Sequence, residues 1–199
     1  MICPWRCASI AYYPIHLITI NGNGFNRGKG LNIAAQHANG NILFFLDADM
    51  IVCREVIERG ITEVTMNNVF YPIPWYYTNE EHTQGNYNSG IGNMFISTEL
   101  FKKVGPWPEY NGWGFEDLDL YKKIKESNIT IKTQEQSYFT HQWHPQTKEF
   151  KNQYAIEDKP LIDERRSHYQ DAYDLEQIIL KRDIEQMLGQ SLANTNKGL

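Results

Sequence analysis

The sequence predicts an α/β fold in which a sheet is flanked by helices. The nearly continuous apolar run FFLDADMIV, residues 44–52, indicates a buried strand that ends in two carboxylates. A strand and a helix are predicted before it, so that the three form a strand–helix–strand unit. Later segments have the apolar spacing of amphipathic helices. We therefore expect one domain over residues 1–150, followed by a helical tail over residues 151–199.

The first elements lead to the acidic pair Asp47 and Asp49. Residues 15–20 (IHLITI) predict a strand that leaves the sheet through the loop NGNG. Residues 25–40 predict an amphipathic helix that ends near Gly40. Arg27 lies where this loop meets the helix, a position at which cations and free backbone amides can bind a diphosphate. The competing interpretation is a solvated surface cation.

The remaining elements are shorter. Residues 54–64 predict a surface helix, and residues 69–73 predict a short strand closed off by Pro72 and Pro74. Ser97 can cap a helix that ends near Gly105. The next helix follows the GWG motif of residues 112–114, and its Leu118, Tyr121 and Ile124 are expected to face inward. Residues 129–132 predict an edge strand.

Charge and cysteine content exclude several classes of partner and site. The net charge of −5 over 199 residues provides no basic field for a phosphate backbone, so nucleic acid is not an expected partner. The cysteines Cys3, Cys7 and Cys53 lack a paired Cys-x-x-Cys spacing, which argues against a disulfide framework and against structural zinc. Neither a signal peptide nor a membrane span is indicated, and a reducing, cytoplasmic location is expected.

Two acidic groups are candidate site residues. Asp47 and Asp49 follow a strand, where both can turn toward one hard cation and the phosphates it carries; ordinary acidic turn residues are the alternative. Glu116 and Asp117, with Asp119, stand at a predicted helix start directly behind Trp113 and Gly114. Helix capping explains any one acid, but an indole between glycines beside carboxylates suits a saccharide site.

Two late histidines complete the candidate set. His141 and His144 are three residues apart, and either could supply a nitrogen ligand to a metal ion. A lone histidine is more often structural. The sequence alone leaves open which of the two would be the ligand.

Four segments in this order resemble a known family: FNRGKGLN, FFLDADM, NSGIGNMFIS with GWGFEDLDL, and THQWHP. They are similar to the galactosyltransferase family, which includes the beta-1,4-galactosyltransferases, and to the transferase domains of chondroitin polymerases. The resemblance covers roughly residues 15–145. It implies an A-type glycosyltransferase fold, which is a Rossmann-like mixed sheet. It also implies an inverting transfer from a nucleotide-diphospho-sugar, with a UDP-sugar expected, to a saccharide acceptor in polysaccharide biosynthesis.

The resemblance also implies residue roles. Asp49 of the Asp-x-Asp motif and His141 match the ligands of Mn²⁺, for which Mg²⁺ is the alternative, and Asp47 matches the nucleotide-side carboxylate. Arg27 matches the arginine near the diphosphate. Asp117 matches the catalytic base. Trp113, Gly114 and Glu116 match the substrate-binding residues beside it.

The chain departs from the family pattern at two points. Phe115 stands where a second glycine is usual, which would narrow the acceptor site. The first nucleotide-binding strand–helix unit has no match before residue 15. Three alternatives stay open: a fragment, a degenerate copy, or a domain with another chain or domain as its completing partner. The sequence is also compatible with two other functions. They are a truncated, non-catalytic saccharide- or nucleotide-binding module and a metal-dependent phosphoester hydrolase.

Overall fold

The structure is a computed structural model, and it describes residues 17–20, 25–87, 91–110 and 116–145. The tail predicted over residues 151–199 lies outside these ranges, and so does the domain boundary predicted at residue 150. None of the helices in the described ranges is both long and apolar enough to cross a bilayer.

The described part of the chain contains four helices: α1 (Arg27–His37), α2 (Arg54–Glu63), α3 (Thr98–Val104) and α4 (Glu116–Glu126). The side chain of Asn26 caps α1 by accepting a hydrogen bond from the backbone N–H of Lys29. Ser97 caps α3 in the same way, and α3 ends at Gly105, whose φ of +86° favours glycine. Both ends of α3 therefore lie where the sequence predicted them.

Six strands of the described part form one mixed sheet: β1 (Ile42–Phe45), β2 (Met50–Val52), β3 (Asn68–Tyr77), β4 (Gly85–Tyr87), β5 (Met94–Ser97) and β6 (Thr130–His141). Their order is β1-β5-β3-β6-β2, and β4 pairs with β3. Strands β3 and β6 are parallel, while the other pairs are antiparallel. The predicted α/β class, with a mixed sheet between helices, is confirmed.

Helices cover both faces of the sheet because neighbouring side chains along each strand point to opposite sides. Leu43, Phe45, Tyr71 and Ile96 belong to one core cluster, together with apolar side chains of α1, α3 and α4. Phe44, Phe70 and Phe95 belong to the second cluster, which also contains Val56 of α2. Tyr121 and Ile124 of α4 are buried as predicted, but Leu120 is the third buried apolar residue rather than Leu118.

The sequence predicted one buried strand over residues 44–52, and this prediction is wrong because the run is divided between two strands. It leaves β1 at Phe45, turns over residues 46–49 and enters β2 at Met50. Strands β1 and β2 lie at opposite ends of the strand order. Five flat strands would separate them by about 19 Å, whereas this connection spans at most about 17 Å, so the sheet curls. The curl brings Asp47 and Asp49 between the two ends of the sheet.

Two other strand predictions are wrong in their extent. Strand β3 continues through Pro72 and Pro74 to Tyr77. On one side of β3, β5 pairs only at Phe70 and β4 pairs only from Trp75. Between these two positions β3 therefore has a single paired neighbour, β6, and proline is tolerated there because one edge of the strand needs no N–H donor. Strand β6 is not an edge strand over residues 129–132. It runs from Thr130 to His141 and lies between β3 and β2.

The strand predicted over residues 15–20 is absent from its described part, residues 17–20. The side chain of Leu17 is 92% exposed, and those of Ile18 and Ile20 are also exposed. Alternating apolar side chains form a strand only where a neighbouring strand pairs with their backbone, and residues 17–20 have no such pairing among the described strands.

Candidate active site

The connection between β1 and β2 brings Asp49 to the end of β6. The backbone N–H of Gln142 donates to the carbonyl oxygen of Asp49 over 2.9 Å, which fixes the two segments to each other. Asp49 Oδ2 lies 3.2 Å from His141 Nε2 and 3.5 Å from His144 Nε2. We call Asp49, His141 and His144 the metal cluster. The structure brings together both histidines between which the sequence could not choose.

The metal cluster fits a divalent cation. One carboxylate and two imidazole nitrogens lie within 4.8 Å of one another. Octahedral ligands at about 2.1 Å from a cation are about 3 Å apart, close to the separations seen here. Asp49 Oδ1 and His141 Nδ1 are buried and have no hydrogen-bond partner within the described ranges. Mixed carboxylate and imidazole donors suit Mn²⁺ and related transition metals.

Neighbouring groups fix the charge and orientation of this cluster. A hydrogen bond from His141 lowers the pKa of Asp49, although burial opposes that shift, so the carboxyl is ionised over a wider pH range. The ring of Tyr76 stacks on that of His141 with centroids 4.4 Å apart, which restricts the imidazole. Trp75 and Tyr77 contact Tyr87 and His82, respectively. The aromatic run of β3 thus packs against rings of its own chain.

A second set of charged side chains lies beside the metal cluster. Arg27 donates through Nε and Nη2 to Asp47 Oδ1, at 3.1 and 2.7 Å, and through Nη1 to Glu116 Oε1 at 3.2 Å. Asn93 Nδ2 donates to Asp47 Oδ2 at 3.2 Å, and Asn93 Oδ1 accepts from the backbone N–H of Asp47 at 2.8 Å. We call Arg27, Asp47, Asn93 and Glu116 the arginine network.

The candidate base Asp117 lies at the start of α4, next to Glu116. Burial raises the pKa of Asp117, and a hydrogen bond from the backbone N–H of Leu118 to Oδ1 only partly offsets that effect. Burial, and then the charge of Asp117, raise the pKa of Glu116, which is 5% exposed. Acids with raised pKa values in one site are candidates for proton transfer. Asp119 instead accepts a hydrogen bond from the hydroxyl of Tyr110.

The segment before α4 is held against α1. Asn32, which is buried, accepts a hydrogen bond from the backbone N–H of Trp107 and donates to the carbonyl oxygen of the same residue, each over 2.9 Å. A Cβ at position 28 would lie 1.9 Å from the carbonyl oxygen of Pro108. Only glycine therefore allows α1 to approach the backbone at Pro108 this closely. The glycine of the FNRGKGLN segment thus serves packing beside the site.

Apart from Asp117 at the start of α4, the predicted site residues fall into three groups. Asp49 and His141 lie together in the metal cluster, and Arg27, Asp47 and Glu116 lie together in the arginine network. Trp113 and Gly114 lie outside the described residues. Sequence reasoning missed Asn93 and Asn32, both fully or nearly buried. The only signal for Asn93 was its place after the glycines of NSGIG and before a buried strand.

Comparison with known proteins supports the motif-based interpretation. The family model described as the N-terminal domain of galactosyltransferase matches residues 77–145. Human chondroitin sulfate synthase 3 is 29% identical over 153 residues, which is 65% of this chain and 17% of that protein. Mouse chondroitin sulfate N-acetylgalactosaminyltransferase 1 is 28% identical over 155 residues, covering 64% of this chain and 28% of that protein.

A third relative belongs to the beta-1,4-galactosyltransferases, the other group whose motifs the four segments resemble. Human beta-1,4-galactosyltransferase 3 is 29% identical over 133 residues, covering 60% of this chain and 31% of that protein. The chain thus spans less than a third of the length of these relatives. The resemblance to the galactosyltransferase family predicted from the four segments is confirmed.

Proposed function

Starting from this relationship to the galactosyltransferase family, we propose that the chain carries the catalytic site of a metal-dependent, inverting glycosyltransferase. It would move a sugar from a nucleotide-diphospho-sugar to a saccharide acceptor. One observation carries the proposal: Arg27 binds both Asp47, two residues before Asp49 of the metal cluster, and Glu116, which precedes Asp117 at the start of α4. A cation for the leaving group and a base for the acceptor are thereby available in one site.

Asp49, His141 and His144 would hold the cation. When bound, Mn²⁺ would neutralise the charge that develops on the departing nucleotide diphosphate. Asp49 lies on the connection between β1 and β2, and the two histidines lie at or just after the end of β6; the curl of the sheet brings these two segments together. An aspartate carboxyl is ionised at neutral pH, so Asp49 would bind the cation without first losing a proton.

Asp117 would act as the general base. As the acceptor hydroxyl oxygen forms its bond to the anomeric carbon, the bond from that carbon to the phosphate oxygen breaks, and the hydroxyl proton moves to Asp117. Burial raises the pKa of Asp117 and so makes it a better proton acceptor than a solvated carboxylate. The backbone N–H of Leu118 holds Oδ1, which orients the carboxyl group.

The relatives indicate which substrates to test first. They are named as galactosyl- and N-acetylgalactosaminyltransferases and as a chondroitin sulfate synthase. We therefore propose UDP-galactose and UDP-N-acetylgalactosamine as donors and chondroitin oligosaccharides or other glycans as acceptors. The donor base would need contacts beyond those of the site described above, since the metal cluster and α4 address the diphosphate and the acceptor.

The test is a transfer assay with each donor, Mn²⁺ and an acceptor, read out by mass spectrometry for the length of the glycan and by proton NMR for its anomeric configuration. We expect a product longer by one sugar with inverted anomeric configuration, and its loss when Mn²⁺ is chelated. Donor binding in calorimetry without any product would favour a non-catalytic binding module instead. Release of free sugar in the absence of an acceptor would favour a metal-dependent hydrolase.

A further inference from the structure

The side chain of Arg27 is already occupied by protein groups. A guanidinium has five N–H donors, and four hydrogen bonds join that of Arg27 to Asp47, Glu116 and the carbonyl oxygen of Gly92. The side chain is only 15% exposed. A residue that binds a mobile diphosphate directly would be expected to keep donors facing solvent.

The surroundings of the guanidinium leave it little freedom. The ring of Trp107, which is 1% exposed, lies beneath it with the Arg27 Cζ atom 5.1 Å from the ring centroid. A Cβ at position 92 would lie 3.0 Å from Arg27 Nη2, so the backbone of Gly92 is in close contact with it. Burial alone would lower the pKa of Arg27, but Asp47 and Glu116 raise it above its usual value.

The arginine network connects two parts of the site that are distant in sequence. Asp47 lies two residues before Asp49 of the metal cluster, and Glu116 lies directly before Asp117. Both oxygens of Asp47 are engaged, Oδ1 by Arg27 and Oδ2 by Asn93. Without Arg27, the carboxylates of Asp47 and Glu116 would lose the cation between them, and Glu116 would be a buried charge without its arginine partner.

We infer that Arg27 is a positioning residue that fixes the Asp49-bearing connection relative to the start of α4, and that it does not bind the donor diphosphate. This inference rests on the proposed function, since it assigns Asp49 to the donor side and Asp117 to the acceptor side. It replaces the diphosphate contact that the resemblance implies for Arg27. Its consequence is that Arg27 contributes to turnover rather than to donor affinity.

The experiment compares Arg27→Lys and Arg27→Met with the wild-type chain. A lysine keeps the charge but cannot bridge two carboxylates with a planar fork. We expect kcat to fall roughly 10- to 100-fold in Arg27→Met, less in Arg27→Lys, while the Kd for UDP in the presence of Mn²⁺ changes little in both. Arg54→Met is the matched control, because Arg54 pairs with Glu58 on the exposed surface of α2.

A rise of tenfold or more in the Kd for UDP with Mn²⁺, with kcat preserved, would overturn the inference and restore the diphosphate role. A second readout does not depend on transfer. In carboxyl NMR, the midpoint of the Glu116 titration should move to higher pH in Arg27→Met and less in Arg27→Lys; an unchanged midpoint in both would also overturn the inference. If the wild-type chain transfers no sugar, the proposed function fails, and this NMR result together with UDP affinity decides the role of Arg27.

Discussion

The metal cluster and the arginine network are adjacent, but they differ in how far their polar atoms are satisfied. In the metal cluster, Asp49 Oδ1 and His141 Nδ1 are buried without a hydrogen-bond partner in the described ranges. In the arginine network, Asp47 uses both oxygens and Arg27 makes four hydrogen bonds. Because unsatisfied buried polar atoms are costly, the residues of the metal cluster retain capacity for further partners, whereas those of the arginine network retain little.

This difference separates binding from positioning. Asp49 Oδ2 and the Nε2 atoms of His141 and His144, which lie 3.2 and 3.5 Å from it, are the atoms that a cation would join, so variants of the metal cluster should change ligand affinity. A satisfied network gains nothing from a ligand, so its variants should change stability or turnover instead. A residue of one set that behaves like a member of the other would contradict this separation.

The largest effect is expected from the metal cluster. Asp49→Ala and His141→Ala should each abolish the Mn²⁺-dependent binding of UDP, because each removes a ligand that no neighbour replaces. His144→Ala should weaken that binding as well. Isothermal titration calorimetry of UDP with and without Mn²⁺ measures the effect. His37→Ala is the control for losing an exposed imidazole, and it should leave binding intact. Normal binding by Asp49→Ala would remove Asp49 from the site.

The next effect is expected from the candidate base. Asp117→Asn should lower kcat by roughly 10²–10⁴-fold while Mn²⁺ and UDP still bind, because asparagine keeps the shape but cannot accept the proton. In the wild type, kcat should fall as pH drops through the pKa of Asp117, which burial places above the usual 3.8. Near-normal turnover in Asp117→Asn, together with an inactive Glu116→Gln, would transfer the role to Glu116.

A smaller effect, on stability, is expected from substituting Asn93. This residue is 0% exposed and makes hydrogen bonds to both the backbone N–H and the carboxylate of Asp47. Asn93→Ala should lower the free energy of unfolding by about 1–3 kcal/mol, because buried partners lose their hydrogen bonds. Asn86→Ala, at an exposed position of β4, should change it by no more than about 0.5 kcal/mol. Urea denaturation followed by circular dichroism compares them. Equal losses in the two variants would show that the contacts of Asn93 to Asp47 add little.

The smallest effect is a gain in stability. Burial raises the pKa of Asp117, so its contribution to folding is complete at low pH and is lost as pH rises through that pKa. Asp117→Asn resembles the neutral form and should therefore raise the Tm at pH 7, with the gain shrinking toward pH 4. Each 1 kcal/mol should correspond to roughly 2–4 °C. The exposed Glu99→Gln in α3 is the control, and a gain independent of pH would contradict the explanation.

The sequence predicted the fold class and most helices because local signals determine them. Ser97 and Gly105 delimit α3 by capping and by backbone conformation, and both effects act within one turn. The same local signals could not show that the run of residues 44–52 divides between the two ends of the sheet. That division depends on pairing with β5 and β6, which are distant in sequence.

The candidate site was predicted only in part for the same reason. Acid and histidine motifs put forward Asp49, His141 and Asp117 as candidates, with His144 as the alternative to His141. The curl of the sheet brings both imidazoles to Asp49. Asn93 gave no clear signal, because its role arises from a contact with Asp47 across 46 residues of sequence. Candidate ligands can be proposed from motifs, whereas contacts between residues distant in sequence become visible only in the fold.

The most direct test of the central claim is electron spin echo spectroscopy of Mn²⁺ bound with UDP. If Asp49, His141 and His144 hold the cation, the wild-type chain should show ¹⁴N modulation from two imidazoles. The modulation should weaken in His141→Ala and in His144→Ala and disappear when both substitutions are combined. Absence of ¹⁴N modulation in the wild type, or its full retention in the double variant, would contradict the claim that this cluster binds the metal.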